Sequence, residues 1–292
     1  MAIIALRKHA SASDKAFRYV RLDDDRESRN EACMSVASLL ADVSGKSGPT
    51  TLASADEWTQ GRTLYGGASA LIAYTHAMRA LPDLPPLQAA QIGFVAPIGS
   101  EVELTAEIIR QGRNVTQVRS DIYCNGSLAL TSFLLFGASR PANAQHPSDR
   151  LEPWPGSAED NEPVSAERGP AFLKQNFELR RAQAETGKGE PTVRRWFRLK
   201  DHTELDPTST MILLGDANPP GAMRAMQRQG PISSINWSFN ILETAPQTRD
   251  GWWMSENSSE HADHGYSSER LTMWNSDGRK VMSGLQSVAI FG

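Results

Sequence analysis

The sequence predicts an α+β protein built as two antiparallel sheets, each wrapped round a central helix. Three observations point there. A stretch with helical period followed by four strand-like stretches occurs twice in the chain. A Pro-, Ser- and Ala-rich segment without periodicity separates the two occurrences. Both occurrences also close on the same ending, LLFG at Gly137 and AIFG at Gly292.

Residues 1–49 read as an N-terminal extension with a leading helix, and the first 33 of them are polar and mixed in charge. Their acidic run, Asp23 to Asp25, offers three adjacent carboxylates that point different ways, which fits a solvated run better than a metal site. The first unit, 50–137, opens on TLASADEWTQGRTLYGG, a strand leading into a helix start. The helix follows in GASALIAYTHAMRAL, with Gly67, Ala70, Leu71, Tyr74, Ala77, Met78 and Leu81 on one stripe, and DLPP ends it. Four strands come next: LQAAQIGFVAPI, EVELTAEIIRQ, NVTQVRSDIYC and SLALTSFLLFG. The last two are joined by an Asn-Gly hairpin signal at Asn125.

Residues 138–170 read as a linker. The second unit, 171–292, repeats the plan: FELRRAQ and TVRRWFRLK as strands, then a helical stretch in TSTMILLGDANPPGAM that Pro-Pro ends. PISSINWSFNIL, GWWMSENSSEH, YSSERLTMWN and KVMSGLQSVAIFG supply four more strands, with an SDG turn at Ser276 to Gly278.

Composition narrows the function. Of 292 residues, 39% are hydrophobic and 22% charged, enough for a substantial core. A net charge of −4 and a pI near 5.9 argue against a nucleic-acid-coating protein and against a basic protein of the membrane surface. The two cysteines, Cys33 and Cys124, form no C-x-x-C pair, and no apolar run reaches membrane-span length, so a cytoplasmic protein is expected. The motifs G-x-S-x-G, G-x-x-x-x-G-K-[ST] and G-x-G-x-x-G after a strand are all missing. His261 and His264 in HADH sit in a strand-to-strand turn without a third ligand, and two surface histidines are the plainer reading. No metal and no cofactor are expected.

What remains are polar residues in apolar settings. Alternation puts Gln286 on the face of Met282, Val288 and Ile290. Burying an amide without partners costs about 1–3 kcal/mol, so Gln286 either has partners or faces a pocket. Asp216 follows Ile212 by four and Leu213 by three, aligned with the apolar stripe of the second helix. Taken alone, an Asp216 that caps or borders the helix end near Asn218-Pro219 is the plainer reading. The first unit has Tyr74, Ala89 and Thr131 where the second has Asp216, Ser234 and Gln286. Alternation places Ser234 with Asn236 and Ser238, opposite Ile235, Trp237 and Phe239, so Ser233 is a possible substitute.

This arrangement resembles the acyl-CoA thioesterase II family, a double hotdog, over about residues 50–292. The resemblance runs through GRTLYGGASAL, GFVAPIGSEVELTAEIIRQGRN, VRRWFRLK, LLGDANP, SINWSF and SGLQSVAIFG. The family's catalytic set is an Asp on the second helix, a Thr on the following strand and a Gln on the last. Carried over, it implies Asp216, Ser234 and Gln286, with Ser in place of Thr keeping the hydroxyl. The resemblance implies acyl-CoA as substrate. A homodimer is kept open as the assembly.

For thioester hydrolysis, Asp216 would accept a proton from water that Gln286 and Ser234 hold, with its carboxyl raised toward neutrality by the apolar stripe. Without a histidine to deprotonate it, Ser234 is a poor nucleophile, so direct attack by water is preferred. In related hotdog enzymes helix-start N–H groups meet the oxyanion, a role Gly66 and Gly67 could fill. Gly-Gly is equally a tight strand-to-helix turn. Arg113, with Arg110, flanks a turn where it could meet CoA phosphates, although solvated arginines are the plainer reading. Two rivals stand beside hydrolysis. One is a non-catalytic acyl-CoA or lipid-binding module; the other is a hydratase or dehydratase, for which His76 is the nearest candidate.

Overall fold

The computed structural model describes residues 35–183, 189–201 and 205–291, so the extension at 1–33 lies outside the described residues. The described chain from there onward forms one compact unit. It begins with α1 (Val36–Ala41), whose N-cap Ser35 accepts a hydrogen bond from the Ser38 N–H, and β1 (Gly48–Thr51). The stretch expected as a strand entering the first helix is instead a 3₁₀ turn (Ala55–Trp58) followed by two-residue strands β2 (Thr59–Gln60) and β3 (Thr63–Leu64). Trp58, fully buried, pins that turn to the core. The helix α2 (Gly66–Ala80) follows, then β4 (Leu87–Phe94), β5 (Glu101–Gln111), β6 (Val115–Cys124) and β7 (Ser127–Gly137). Asn125 and Gly126 have φ of 50° and 72°, the left-handed pair that a tight Asn-Gly hairpin needs.

The second half comprises α3 (Ala171–Asn176), β8 (Phe177–Arg181), β9 (Thr192–Leu199) and α4 (Pro207–Gly215). It continues with β10 (Ile232–Ile241), β11 (Trp253–Asp263), β12 (Tyr266–Trp274) and β13 (Lys280–Ile290). Pro207 opens α4 where its missing N–H does no harm, and the Asp206 carboxylate accepts from the Ser209 N–H at 3.0 Å.

The expectation of two separate sheets is corrected. Eleven strands form one antiparallel sheet in the order β1-β5-β6-β7-β4-β10-β13-β12-β11-β9-β8. The repeat is plain in that order: β5-β6-β7-β4 on one side is mirrored by β10-β13-β12-β11 on the other. Each half would leave an edge strand with a row of unpaired N–H and C=O groups. Antiparallel pairing of β4 with β10, from Asn236 opposite Gly93 to Asn240 opposite Ala89, satisfies both edges at once.

The two helices pack against each other, α2 also touching β5, β6 and β7 and α4 touching β12. Because α2 is enclosed by its sheet and by α4, every residue from Gly67 to Ala77 is buried, not only the expected stripe. Met78, expected on that stripe, is 38% exposed. The Tyr65 hydroxyl donates to the Leu213 carbonyl, tying the start of α2 to the end of α4, and its ring stacks on Phe172 at 4.0 Å. Gly215 lets α4 end against the sheet, since a Cβ there would lie 2.7 Å from the Trp237 ring.

The segment read as a linker carries no regular element, yet it is packed. Trp154 meets Trp196 edge-on at 5.6 Å, in a second apolar cluster with Ala158, Ala182, Trp252, Met254 and Trp274. Burial of that size ties residues 151–158 to the sheet. No helix among the described residues is long and apolar enough to cross a membrane.

Candidate active site

Asp216 is the C-cap of α4, one residue past the last helical turn and not within it as the sequence pattern suggested. The DANPP run explains the stop: Pro219 and Pro220 cannot continue a helix, and the residue before a proline avoids the helical region. The cap carboxyl is directed at the start of α2, where it accepts from the Gly67 N–H and, at Oδ1, from Gln286 Nε2 at 2.6 Å. Burial pushes its pKa from 3.8 up to about 7, against the two hydrogen bonds that favour the anion. It is walled by protein yet keeps part of its surface open to a cavity.

Gln286 is 3% exposed on β13, opposite Trp237 of β10 and Glu269 of β12. Both alternatives left open by the sequence hold for it: it has a partner, and it lines the cavity. The placement of Ser234 turns on a β-bulge. Ser234 lies opposite Val288, but the next pair in register is Asn236 with Ser287, so Ile235 is extra. Directly opposite residues share a face, so Ser234 goes with Val288 and Gln286, and simple alternation with Asn236 and Ser238 is broken. Ser233 and Ser234 both line the cavity. The Ser234 hydroxyl has no hydrogen-bond partner among the described residues.

Close approach decides the Gly-Gly pair. A Cβ on Gly66 would run into Asp216 Oδ2 and lie 2.9 Å from Phe94 Cζ, and one on Gly67 would run into the Leu213 carbonyl oxygen. Gly66 lines the cavity, while the Gly67 N–H is directed at the Asp216 carboxyl.

The cavity has a volume of about 750 Å³ and draws its walls from both halves and from the segment at 168–173. Phe94, Val95, Phe172, Leu173, Ile232 and Phe291 supply apolar lining. Arg113 is exposed in the β5–β6 turn and is not among the lining residues, nor is Arg110; the arginines that line the cavity are Arg62, Arg168 and Arg195. Reading β9 by its alternation would have found Arg195, since it shares a face with Val193 and Phe197. His76 is buried outside the cavity, its Nδ1 2.8 Å from the Ser44 carbonyl, and His264 is exposed in the β11–β12 turn. No group of three His, Cys, Asp or Glu side chains among the described residues could hold a metal ion.

The loop after Asp216 is held by buried polar side chains that the sequence reading passed over. Asn218 Nδ2 donates to the Ser255 carbonyl at 2.8 Å, and Asn257 Nδ2 donates to the Asn218 carbonyl at 3.1 Å. The fully buried Glu269 accepts from the Gly221 and Ala222 N–H groups at 2.7 and 3.2 Å and from the Ser267 hydroxyl. These bonds fix where α4 ends, and with it the Asp216 carboxyl.

Solved structures share the fold, among them three that span most of their own length on this chain. A conserved protein of unknown function with hot dog fold from Alicyclobacillus acidocaldarius superposes with a TM-score of 0.73 at 18% identity, covering 86% of this chain and 97% of that one. The tesB protein of Mycobacterium avium subs paratuberculosis gives 0.70 at 18% identity, covering 88% and 100%. The acyl-CoA thioesterase II TesB2 of Mycobacterium marinum gives 0.62 at 16%, covering 77% and 88%. No curated protein matches the sequence significantly. The family model of the acyl-CoA thioesterase N-terminal domain matches residues 54–137 and that of the C-terminal domain residues 148–290. With its two hotdog repeats each matched by the corresponding half of that family, the chain belongs to the acyl-CoA thioesterase family.

Proposed function

We propose that this chain hydrolyses acyl-CoA thioesters to the free carboxylic acid and CoA, with Asp216 as general base toward water. The observation that carries this reading is the Asp216 carboxyl. It is held 2.6 Å from Gln286 Nε2, is pushed up to about 7, and faces a cavity of about 750 Å³. A base poised near the working pH exists in both protonation states, which suits it to take a proton and return it.

In the first step a water oxygen attacks the thioester carbonyl carbon while one water proton passes to the Asp216 carboxylate. The carbonyl π pair moves onto oxygen. Collapse of the tetrahedral intermediate breaks the C–S bond, and the thiolate leaves with the proton from the Asp216 carboxylic acid. Gln286 and the Ser234 hydroxyl orient the water. The Gly67 N–H is directed at Asp216, so the oxyanion role falls to the Gly66 N–H in the first turn of α2, where backbone donors lack helical partners. Ser234 has no histidine among the lining residues to activate it, which supports direct attack by water over an acyl-enzyme.

The test is release of free CoA from a panel of straight-chain acyl-CoAs by EDTA-treated protein. Turnover that Asp216→Asn abolishes supports the reading. Binding of the panel without turnover by the unaltered protein would overturn it in favour of a binding module.

A further inference from the structure

Five arginines lie on β8 and β9, and four of them are answered. Arg194 Nε donates to Glu256 at 2.6 Å, Arg198 to Glu178 at 2.6 Å, and Arg181 meets Glu162 at 3.6 Å. Arg180 donates to the Asn161 carbonyl at 2.9 Å and lies over the Trp252 ring. Arg195 alone has no ion-pair or hydrogen-bond partner among the described residues. Its cross-strand neighbours are Arg181 and the buried Ser255, which leave its charge unneutralised. It shares the inward face of β9 with Val193 and Phe197 and lines the cavity that holds Asp216. Desolvation lowers its pKa, as expected for a cation withdrawn from water.

A charge taken from water without a partner is costly, and such groups are ordinarily paired. Here the missing partner has a place to sit, since Arg195 is partly exposed and lines the cavity. We propose that Arg195 receives a carboxylate at the distal end of the acyl chain, so that the cavity selects thioesters of dicarboxylic acids over those ending in methyl. This deepens the acyl-thioester reading and rests on it. A planar guanidinium matches a carboxylate through two parallel N–H···O bonds, and one charge answers one charge. The phosphates of CoA carry more charge and are costlier to desolvate. Arg62 and Arg168, which line the same cavity but are exposed, suit them better.

The experiment compares matched acyl-CoA pairs of six to ten carbons that differ only in a methyl or carboxylate end. Arg195→Gln and Arg195→Lys are assayed beside the unaltered protein, with thermal unfolding to verify the fold of each. The readout is the ratio of kcat/KM for the acid-ended over the methyl-ended member. Arg195→Gln should lower that ratio by about 10- to 100-fold, the range of a hydrogen bond between charged groups, and Arg195→Lys should lower it less. A ratio unchanged by Arg195→Gln overturns the proposal. So does an equal loss for both members joined to weaker inhibition by free CoA, which would assign Arg195 to the CoA end. Non-hydrolysable thioether analogues separate this test from catalysis. Arg195-dependent preference for the acid-ended analogue in a protein without turnover would uphold the subsite while removing the hydrolytic reading.

Discussion

Replacement of Asp216 by Asn tests the base through stability as well as rate. In the folded chain the carboxyl is pushed from 3.8 up to about 7. Between those values the folded state holds a proton that the unfolded state has released. The group therefore stabilises the fold in acid, and that contribution is lost as pH rises through about 7. Between pH 5 and about 7 the folded state holds nearly one proton more than the unfolded state, an excess that persists over about two pH units and has vanished by pH 8. At about 1.36 kcal/mol per unit, the loss is on the order of 2 to 3 kcal/mol, an upper figure because the carboxyl keeps some contact with the cavity. Asp216→Asn removes the titration. Urea unfolding of both proteins at the two pH values should show the difference in stability between them changing by up to that amount, with Asp216→Asn relatively more stable at pH 8. Turnover of Asp216→Asn should fall by about 10²–10⁴ with little change in KM. In the unaltered protein, turnover should rise with pH through about 7 as the base ionises. A stability difference that is the same at both pH values would show that the carboxyl does not titrate near neutrality. Asp216 would then not be a base poised near neutrality, whatever the rate of the variant.

Gln286→Ala removes a hydrogen bond that favours the Asp216 anion, so the acid limb of the pH–rate profile should move upward while turnover drops by about 10-fold or more; an unmoved limb would leave Gln286 without that role. Gly66→Ala and Gly67→Ala should separate in kind. The first meets the Asp216 and Phe94 side chains, and should depress turnover more than melting temperature. The second meets the Leu213 backbone oxygen, and should destabilise by about 2 kcal/mol or more in urea unfolding. Ser234→Ala should reduce turnover less than Asp216→Asn, and Ser234→Thr should retain it. Rapid quench with a radiolabelled acyl group should trap nothing on Ser234, and a trapped acyl-enzyme would replace direct attack by water.

Periodicity and turn chemistry are local, and what depends on them was legible in the chain. EVELTAEIIRQ and SLALTSFLLFG are strands over their full expected lengths, and the helix at Gly66–Ala80 lies within a residue of its expected bounds. The duplication shows because each unit must alternate in the same way to build its half of the sheet. The pairing of β4 with β10 was not legible, since any exposed strand edge offers the same backbone donors and acceptors and nothing in LQAAQIGF names its partner. The face of Ser234 was hidden for a related reason. One extra residue at Ile235 reverses the alternation, and only the register against β13 reveals it. A carboxylate at the end of an apolar helix marked Asp216 as unusual in the chain itself. What raises it to about 7 is burial between the end of one helix and the start of another in the other half of the chain, and such enclosure exists only once the halves have packed. Arg195 stands likewise: the sequence placed it in a row of arginines, and the fold left it without a partner among the described residues at the wall of the cavity.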